Sequence, residues 1–209
     1  LMYADGQRIV SFKDMSMKMA GSTREVIEAM WKDAIPSTTP EMAPEVGAPV
    51  MQKTSVFDRN KILTFATGNP SEAFGEPYKI FDRERFIARL PAPPYSFIDR
   101  VVTAEPEAWT LQPDGWIEAE YNVSPDAWFF DADRTSAMPF CVLLEVALQP
   151  CGWLAAYMGS ALRSENDLKF RNLGGHATLE EPIRRKTQTL TIRARMTKVS
   201  EAAAMIIEH

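Results

Sequence analysis

The chain has 209 residues, 45% of them apolar and 24% charged, which is enough for one domain with a linker and a sizeable core. A net charge of -5 excludes the broadly basic face that nucleic-acid binding needs. The short basic clusters, Arg184-Arg185-Lys186 and Arg193 with Arg195, stand beside acids and read as solvated surface. The only cysteines, Cys141 and Cys151, lie in an apolar segment and read as reduced, buried thiols in a cytoplasmic setting. The histidines are His176 and His209, and no cluster of ligands suggests a metal site.

Along the chain, Tyr3-Ala4-Asp5-Gly6 is a turn signal and Arg8–Phe12 a short strand. Residues 22–34 are expected to form a short helix, capped by Ser22 or Thr23, with Val26, Ile27, Met30 and Trp31 on one face. Residues 35–50 carry Pro36, Pro40, Pro44 and Pro49 among small and acidic residues, which marks a linker. Residues 53–89 are mixed: Ile62, Leu63 and Phe65 can pack, while Gly68-Asn69-Pro70 and Gly75-Glu76-Pro77 signal loops. Leu90-Pro-Ala-Pro-Pro94 is a rigid extended lead into a more regular region.

In that region Phe97–Val102 reads as a strand or short helix. Ala108–Leu111 and Trp116–Val123 read as strands joined by the turn Gln112-Pro113-Asp114-Gly115. Ile117, Ala119 and Tyr121 alternate with Glu118, Glu120 and Asn122, the pattern of a half-buried strand. Leu190, Ile192, Ala194 and Met196 alternate as clearly with Thr191, Arg193, Arg195 and Thr197, and residues 203–208 begin one more strand. The chain begins at Leu1 and ends within that strand-like run, as a piece of a longer protein would.

Between the two strand groups, from Thr135 to Leu162, the only formally charged residue is Glu145. Pro139 suits a first helical turn, and Gly159 with Ser160 can end the helix. A segment apolar nearly all round is a buried helix. Its length alone would also allow a membrane span, but Glu145, Gln149 and Pro150 in its interior and the flanking soluble-type strands argue against one. Pro150 removes one helical hydrogen bond and is expected to kink it.

Glu145 and Gln149, four apart, share one helical face. A carboxyl among Val142, Leu144, Val146 and Leu148 would be desolvated, which raises its pKa and suits it to general-acid work. Gln149 would orient that carboxyl or bind a substrate oxygen. The residues alone leave open a second reading, a structural glutamate satisfied by buried partners. Free backbone amides at the helix start, around Phe140 and Cys141, can hold a carbonyl oxygen that gains charge. Cys141 as a nucleophile has no histidine near in sequence, so a core thiol is the better reading, and His176 after Gly174-Gly175 reads as a loop residue.

Several motifs together resemble the β-hydroxydecanoyl-ACP dehydratase family. They are Leu90-Pro-Ala-Pro-Pro94 with Asp99-Arg100, Trp128-Phe129-Phe130, Met138-Pro139-Phe140-Cys141, Glu145-x-x-x-Gln149 and Lys169-Phe170. More narrowly, residues 138–157 are similar to the dehydratase regions of polyunsaturated fatty acid synthases. The resemblance implies an α+β hot-dog fold over 54–209, a curled antiparallel sheet wrapped around one long helix, as half of a double hot dog. Residues 1–21 would then be the end strand of a preceding hot dog, and 22–53 a linker with a short helix. The implied reaction removes water from a 3-hydroxyacyl thioester carried on the phosphopantetheine of an acyl carrier protein, with no other cofactor.

By that resemblance Glu145 takes the place of the family acid, usually Asp, and Gln149 that of the family Gln. Met138, Phe140 and Cys141 form the substrate-binding helix start. In the family Trp-Phe-Phe is a strand, and a histidine follows three residues later. Here that position is Asp133, a far weaker base. This hot dog is therefore expected to lend the acid while the second half of a double hot dog lends the histidine; the expected partners are the acyl carrier protein and a second hot-dog domain or homodimer partner, with neither nucleic acid nor membrane. A catalytically degenerate hot dog serving as scaffold or docking unit, and a hot-dog thioesterase, are the competing readings.

Overall fold

The computed structural model of the chain describes residues 2–4, 7–10, 23, 25–26, 29, 53–132, 136–172, 174–202 and 205–209. The chain divides into two units, Leu1–Glu41 and Met42–His209. In the first, strands β1 (Met2–Ala4) and β2 (Gln7–Val10) pair antiparallel with Ala4 opposite Gln7. They flank the Asp5-Gly6 turn signal. Glu25, Val26 and Ala29 are helical, inside the helix expected over 22–34. The proline-rich stretch 35–50 lies outside the described residues.

The second unit opens with short helices where the sequence shows only mixed text. Asp58 caps helix α1 (Arg59–Thr67) by accepting from the Lys61 N–H at 3.0 Å, and Gly68 ends it. Ile62 and Phe65, three apart, are its buried face. Helix α2 (Pro70–Phe74) starts on a proline, and α3 (Ile80–Arg83) is a single turn. Strands β3 (Arg100–Glu105) and β4 (Trp116–Asn122) follow, then helices α4 (Trp128–Ala132) and α5 (Phe140–Tyr157), then strands β5 (Thr189–Arg195), β6 (Val199–Ala202) and β7 (Met205–Glu208).

The sheet has the order β3-β4-β5, antiparallel throughout. Ile117 faces Ala194, Ala119 faces Ile192 and Tyr121 faces Leu190, so the two alternating segments meet residue for residue on one side. Helix α5 packs against β4 and β5 and joins two apolar clusters. Its first half, through Val142 and Val146, enters a cluster with Phe97, Val123, Phe129, Phe130 and Met138. Its second half, through Trp153 and Leu154, enters the larger one with Ile62, Phe65, Phe74, Tyr78 and Ile117. Trp153 lies edge-on or tilted to Phe57, Phe65 and Phe74 at 5.3, 5.7 and 4.7 Å between centroids. The buried Tyr78 hydroxyl donates to the Ala156 carbonyl, and burial pushes that phenol far above its ordinary pKa.

Several expectations are corrected. Ala108–Leu111 is not a strand. Trp109 takes a positive φ of 64°, and its backbone N–H donates to Tyr157 and its indole to the Phe74 carbonyl, both near 3 Å. The segment is thus tied to helix ends, and β4 takes β3 as its neighbour instead. Trp128-Phe129-Phe130 is helical, with Phe129 and Phe130 buried, where the resemblance implied a strand. Lys169-Phe170 forms no strand, and Phe170 is about half exposed. The last strand, β7, has its hairpin partner before it, in β6. Cys141 and Cys151 are exposed. Helix α5 itself, Phe140–Tyr157, lies within the expected segment Met138–Leu162, with Pro150 buried inside it.

The outer face of β4 also departs from simple alternation, because Glu118 and Glu120 are buried. Burial of a carboxylate is tolerated only with partners. Glu120 pairs with the buried Arg100 across the strands at 2.6 Å. Glu118 pairs with Lys53 at 2.5 Å and Arg193 at 2.6 Å, and both cations, Lys53 foremost, hold its pKa below the ordinary value. Replacing Glu120 with Ala leaves Arg100 buried without its counter-charge, and a loss of about 3 kcal/mol in urea unfolding is expected. The folded-state pKa of Glu118 is depressed, so its stabilisation is complete above the ordinary Glu value of about 4.3 and fades as pH falls through the depressed value. Glu118→Gln should therefore flatten the acid limb of a stability-against-pH curve; an unchanged limb would refute that assignment.

Candidate active site

The start of α5 is fixed from outside the helix. Ala137 bridges to Arg184, and the Met138 N–H donates to the Ile183 carbonyl at 2.8 Å. The Met138 side chain is buried in the first apolar cluster, so it anchors the helix start from below. Pro139 is the N-cap, and its carbonyl accepts from the N–H groups of Val142 and Leu143 at 2.9 and 3.1 Å. A proline has no side-chain acceptor to spend on the helix, and no acid occupies the first turn. The amides of Phe140 and Cys141 lie ahead of the first intrahelical bond and donate no hydrogen bond among the described residues.

From that start, Cys141, Glu145 and Gln149 succeed one another at four-residue spacing along one face. Gln149 is only 2% exposed. Its Oε1 accepts from the Phe97 N–H at 2.7 Å, and its Nε2 donates to the Tyr95 carbonyl at 2.8 Å and to Glu145 Oε1 at 3.1 Å. The Phe97 N–H can meet only an oxygen, which fixes the amide's orientation. Both N–H donors of Gln149 are thereby spent, leaving none for a substrate oxygen, so the geometry favours the orienting role of the two expected.

Glu145 is half-buried, where the sequence predicted full desolvation by Val142, Leu144, Val146 and Leu148. Val142 and Val146 point into the core, but Leu148 is 41% exposed and Leu144 half-exposed. A helix apolar on every side buries only the sides that other elements reach. One Glu145 oxygen is held by Gln149, and the carboxyl borders an apolar strip of Phe140, Leu144, Ala147 and Leu148 that the described residues leave uncovered. The helix has 18 residues and a mean hydropathy of 1.4, long and apolar enough by composition to cross a membrane, yet its other side is packed into both clusters.

Tyr95 belongs to the same site and was not singled out from the sequence. Its ring stacks on Trp128 at 6.0 Å and 29°, and meets the edge of Phe97 at 5.0 Å. The Trp128 indole in turn donates to the Pro94 carbonyl at 3.2 Å. Burial foremost, then the neighbouring Glu145 and Cys141, raise the Tyr95 phenol's pKa. The only cue in the sequence was an aromatic residue following Leu90-Pro-Ala-Pro-Pro94. Asp133, the position where the resemblance places a histidine, lies outside the described residues.

Residues 90–209 match the family described as the FabA-like domain. The chain is also 31% identical over 122 residues to one of the subunits of the polyunsaturated fatty acid synthase of Thraustochytrium sp. (strain ATCC 26185 / S-3). That alignment covers 54% of this chain and 8% of the relative, so the chain spans a small part of this relative's length.

The amide bridge gives a direct test of the site's construction. Gln149→Leu keeps the volume but leaves the Phe97 N–H and Tyr95 carbonyl without partners, at a cost of about 2–4 kcal/mol in chemical unfolding. A loss below about 1 kcal/mol, the scale of one ordinary hydrogen bond, would show that the bridge does not hold the segment.

Proposed function

The chain belongs to the FabA-like domain family, and from that premise we propose that it is the acid-donating hot dog of a 3-hydroxyacyl-ACP dehydratase within a polyunsaturated fatty acid or polyketide synthase. The observation that carries the proposal is the Gln149–Glu145 hydrogen bond: a carboxyl held by one oxygen, beside a helix start whose first amides are unspent among the described residues. The other Glu145 oxygen is free to protonate a leaving hydroxyl.

The substrate is a 3-hydroxyacyl thioester on the phosphopantetheine arm of an acyl carrier protein. The Phe140 and Cys141 amides hold its carbonyl oxygen, which acidifies the α-carbon. A histidine of a second hot dog takes the α-proton, Glu145 gives its proton to the 3-hydroxyl, the C–O bond breaks, and water leaves a 2-enoyl thioester. Such a base must come from elsewhere, because Asp133 stands where this family has its histidine. The strip of α5 beside Glu145, uncovered among the described residues, supports a partner of that kind, the other half of a double hot dog, since a second copy would carry Asp133 as well. Closure by that partner would also complete the desolvation that the half-buried Glu145 lacks.

Asp133 also favours one rival, a degenerate hot dog that serves as scaffold or carrier-protein docking unit. Glu145→Gln in the complete double hot dog separates the two. The proposal expects dehydration to fall about 10²–10⁴-fold with unchanged folding, read as 2-enoyl thioester by mass spectrometry. Wild-type turnover would favour the scaffold reading, and release of free thiol in place of the enoyl product would identify a thioesterase.

A further inference from the structure

We propose that the Tyr95 hydroxyl is a substrate-binding hydrogen-bond donor of this site, set beside Glu145 to hold the 3-hydroxyl oxygen of the acyl substrate. The proposal rests on the dehydratase reading above and adds a residue that it does not use.

The backbone of Tyr95 is tied to the acid's own face of α5. The Gln149 side-chain amide that donates to the Tyr95 carbonyl at 2.8 Å also donates to Glu145 at 3.1 Å, so one rigid group positions both residues. The ring is held independently, stacked on Trp128 and edge-on to Phe97. Trp128 is itself tied to Pro94. Both ends of the side chain's path are therefore set by contacts that involve no oxygen of the phenol. That hydroxyl donates no hydrogen bond among the described residues, and Tyr95 is only half-buried, with Glu145 and Cys141 near enough to act on its phenol. Its raised pKa keeps the proton on through the neutral range.

A substrate in this site presents two oxygens. The carbonyl is served by backbone amides, and the 3-hydroxyl meets Glu145, which can supply a proton but cannot by itself fix the direction of the oxygen's lone pairs. A neutral donor close to the acid supplies that constraint. Sites built to hydrogen-bond a substrate hydroxyl discriminate strongly against analogues that lack it, because the protein donor is then left unpaired. Tyr95 accordingly would select 3-hydroxyacyl over saturated acyl thioesters.

The test uses the complete double hot dog and two thioesters on the same pantetheine arm, a 3-hydroxyacyl substrate and its saturated acyl counterpart as competitive inhibitor. Tyr95→Phe removes the hydroxyl and keeps the stacked ring. We expect its KM for the 3-hydroxyacyl thioester to rise about 10-fold, the scale of one lost hydrogen bond, while the inhibition constant of the saturated thioester is unchanged. Equal weakening of both, or of neither, would overturn the proposal, and Tyr95→Leu, which also removes the stack, shows what equal weakening from lost packing looks like. Glu145→Gln keeps the two ideas apart. If it is inactive while Tyr95→Phe behaves as wild type, only the Tyr95 assignment fails; if it turns over normally, the dehydratase reading fails and this proposal with it.

Discussion

A glutamine amide buried in an apolar helix must have its hydrogen bonds made or cost the fold several kcal/mol. In this chain that requirement organises the site. Gln149 satisfies itself on the Phe97 N–H, the Tyr95 carbonyl and Glu145, and in doing so clamps the segment 95–97 against the middle of α5. Phe97 then seats in the same apolar cluster as Val142 and Val146, and Tyr95 is set beside the acid. One polar group thus couples packing to chemistry: whatever holds Gln149 holds the carboxyl.

The remainder of the structure supplies rigidity around that clamp. Helix α5 is gripped at its far end by the aromatic neighbours of Trp153 and by Tyr78 on the Ala156 carbonyl. Its near end is gripped by the Met138–Ile183 backbone bond. The sheet beneath it is tied on its outer face by Arg100 with Glu120 and by Glu118 with two cations. Against this fixed frame one strip of α5 is left uncovered by the described residues, and it runs alongside Glu145. A site that is firm from behind and open in front is what a half-site closed by a partner requires.

The sequence made α5 legible because a single charge in so long an apolar run leaves few alternatives. Strands β4 and β5 were legible because both alternate cleanly, but their pairing with each other was not. What was missed has physical causes. Helix α1 buries only Ile62 and Phe65, too short a stripe to register as a period. Trp128-Phe129-Phe130 has strand-forming side chains, yet burying Phe129 and Phe130 against Phe97 and Val123 overrides that preference. Glu118 and Glu120 look like solvent-facing positions until the cations that cover them arrive from distant Lys53, Arg100 and Arg193. Glu145 and Gln149 were visible as a lone charge in an apolar helix and its neighbour four residues on, and the amide geometry brings them together. Tyr95 was not, since nothing in an isolated tyrosine says that its carbonyl will be held by the glutamine that orients the acid.

The central claim is that this unit holds an acid and needs a base from elsewhere. The most direct measurement is dehydration of a 3-hydroxyacyl thioester on its carrier protein, by this chain alone and after addition of the separately purified partner hot dog. The account predicts negligible enoyl product from the chain alone and turnover on mixing. Full-rate dehydration by the isolated chain would contradict it.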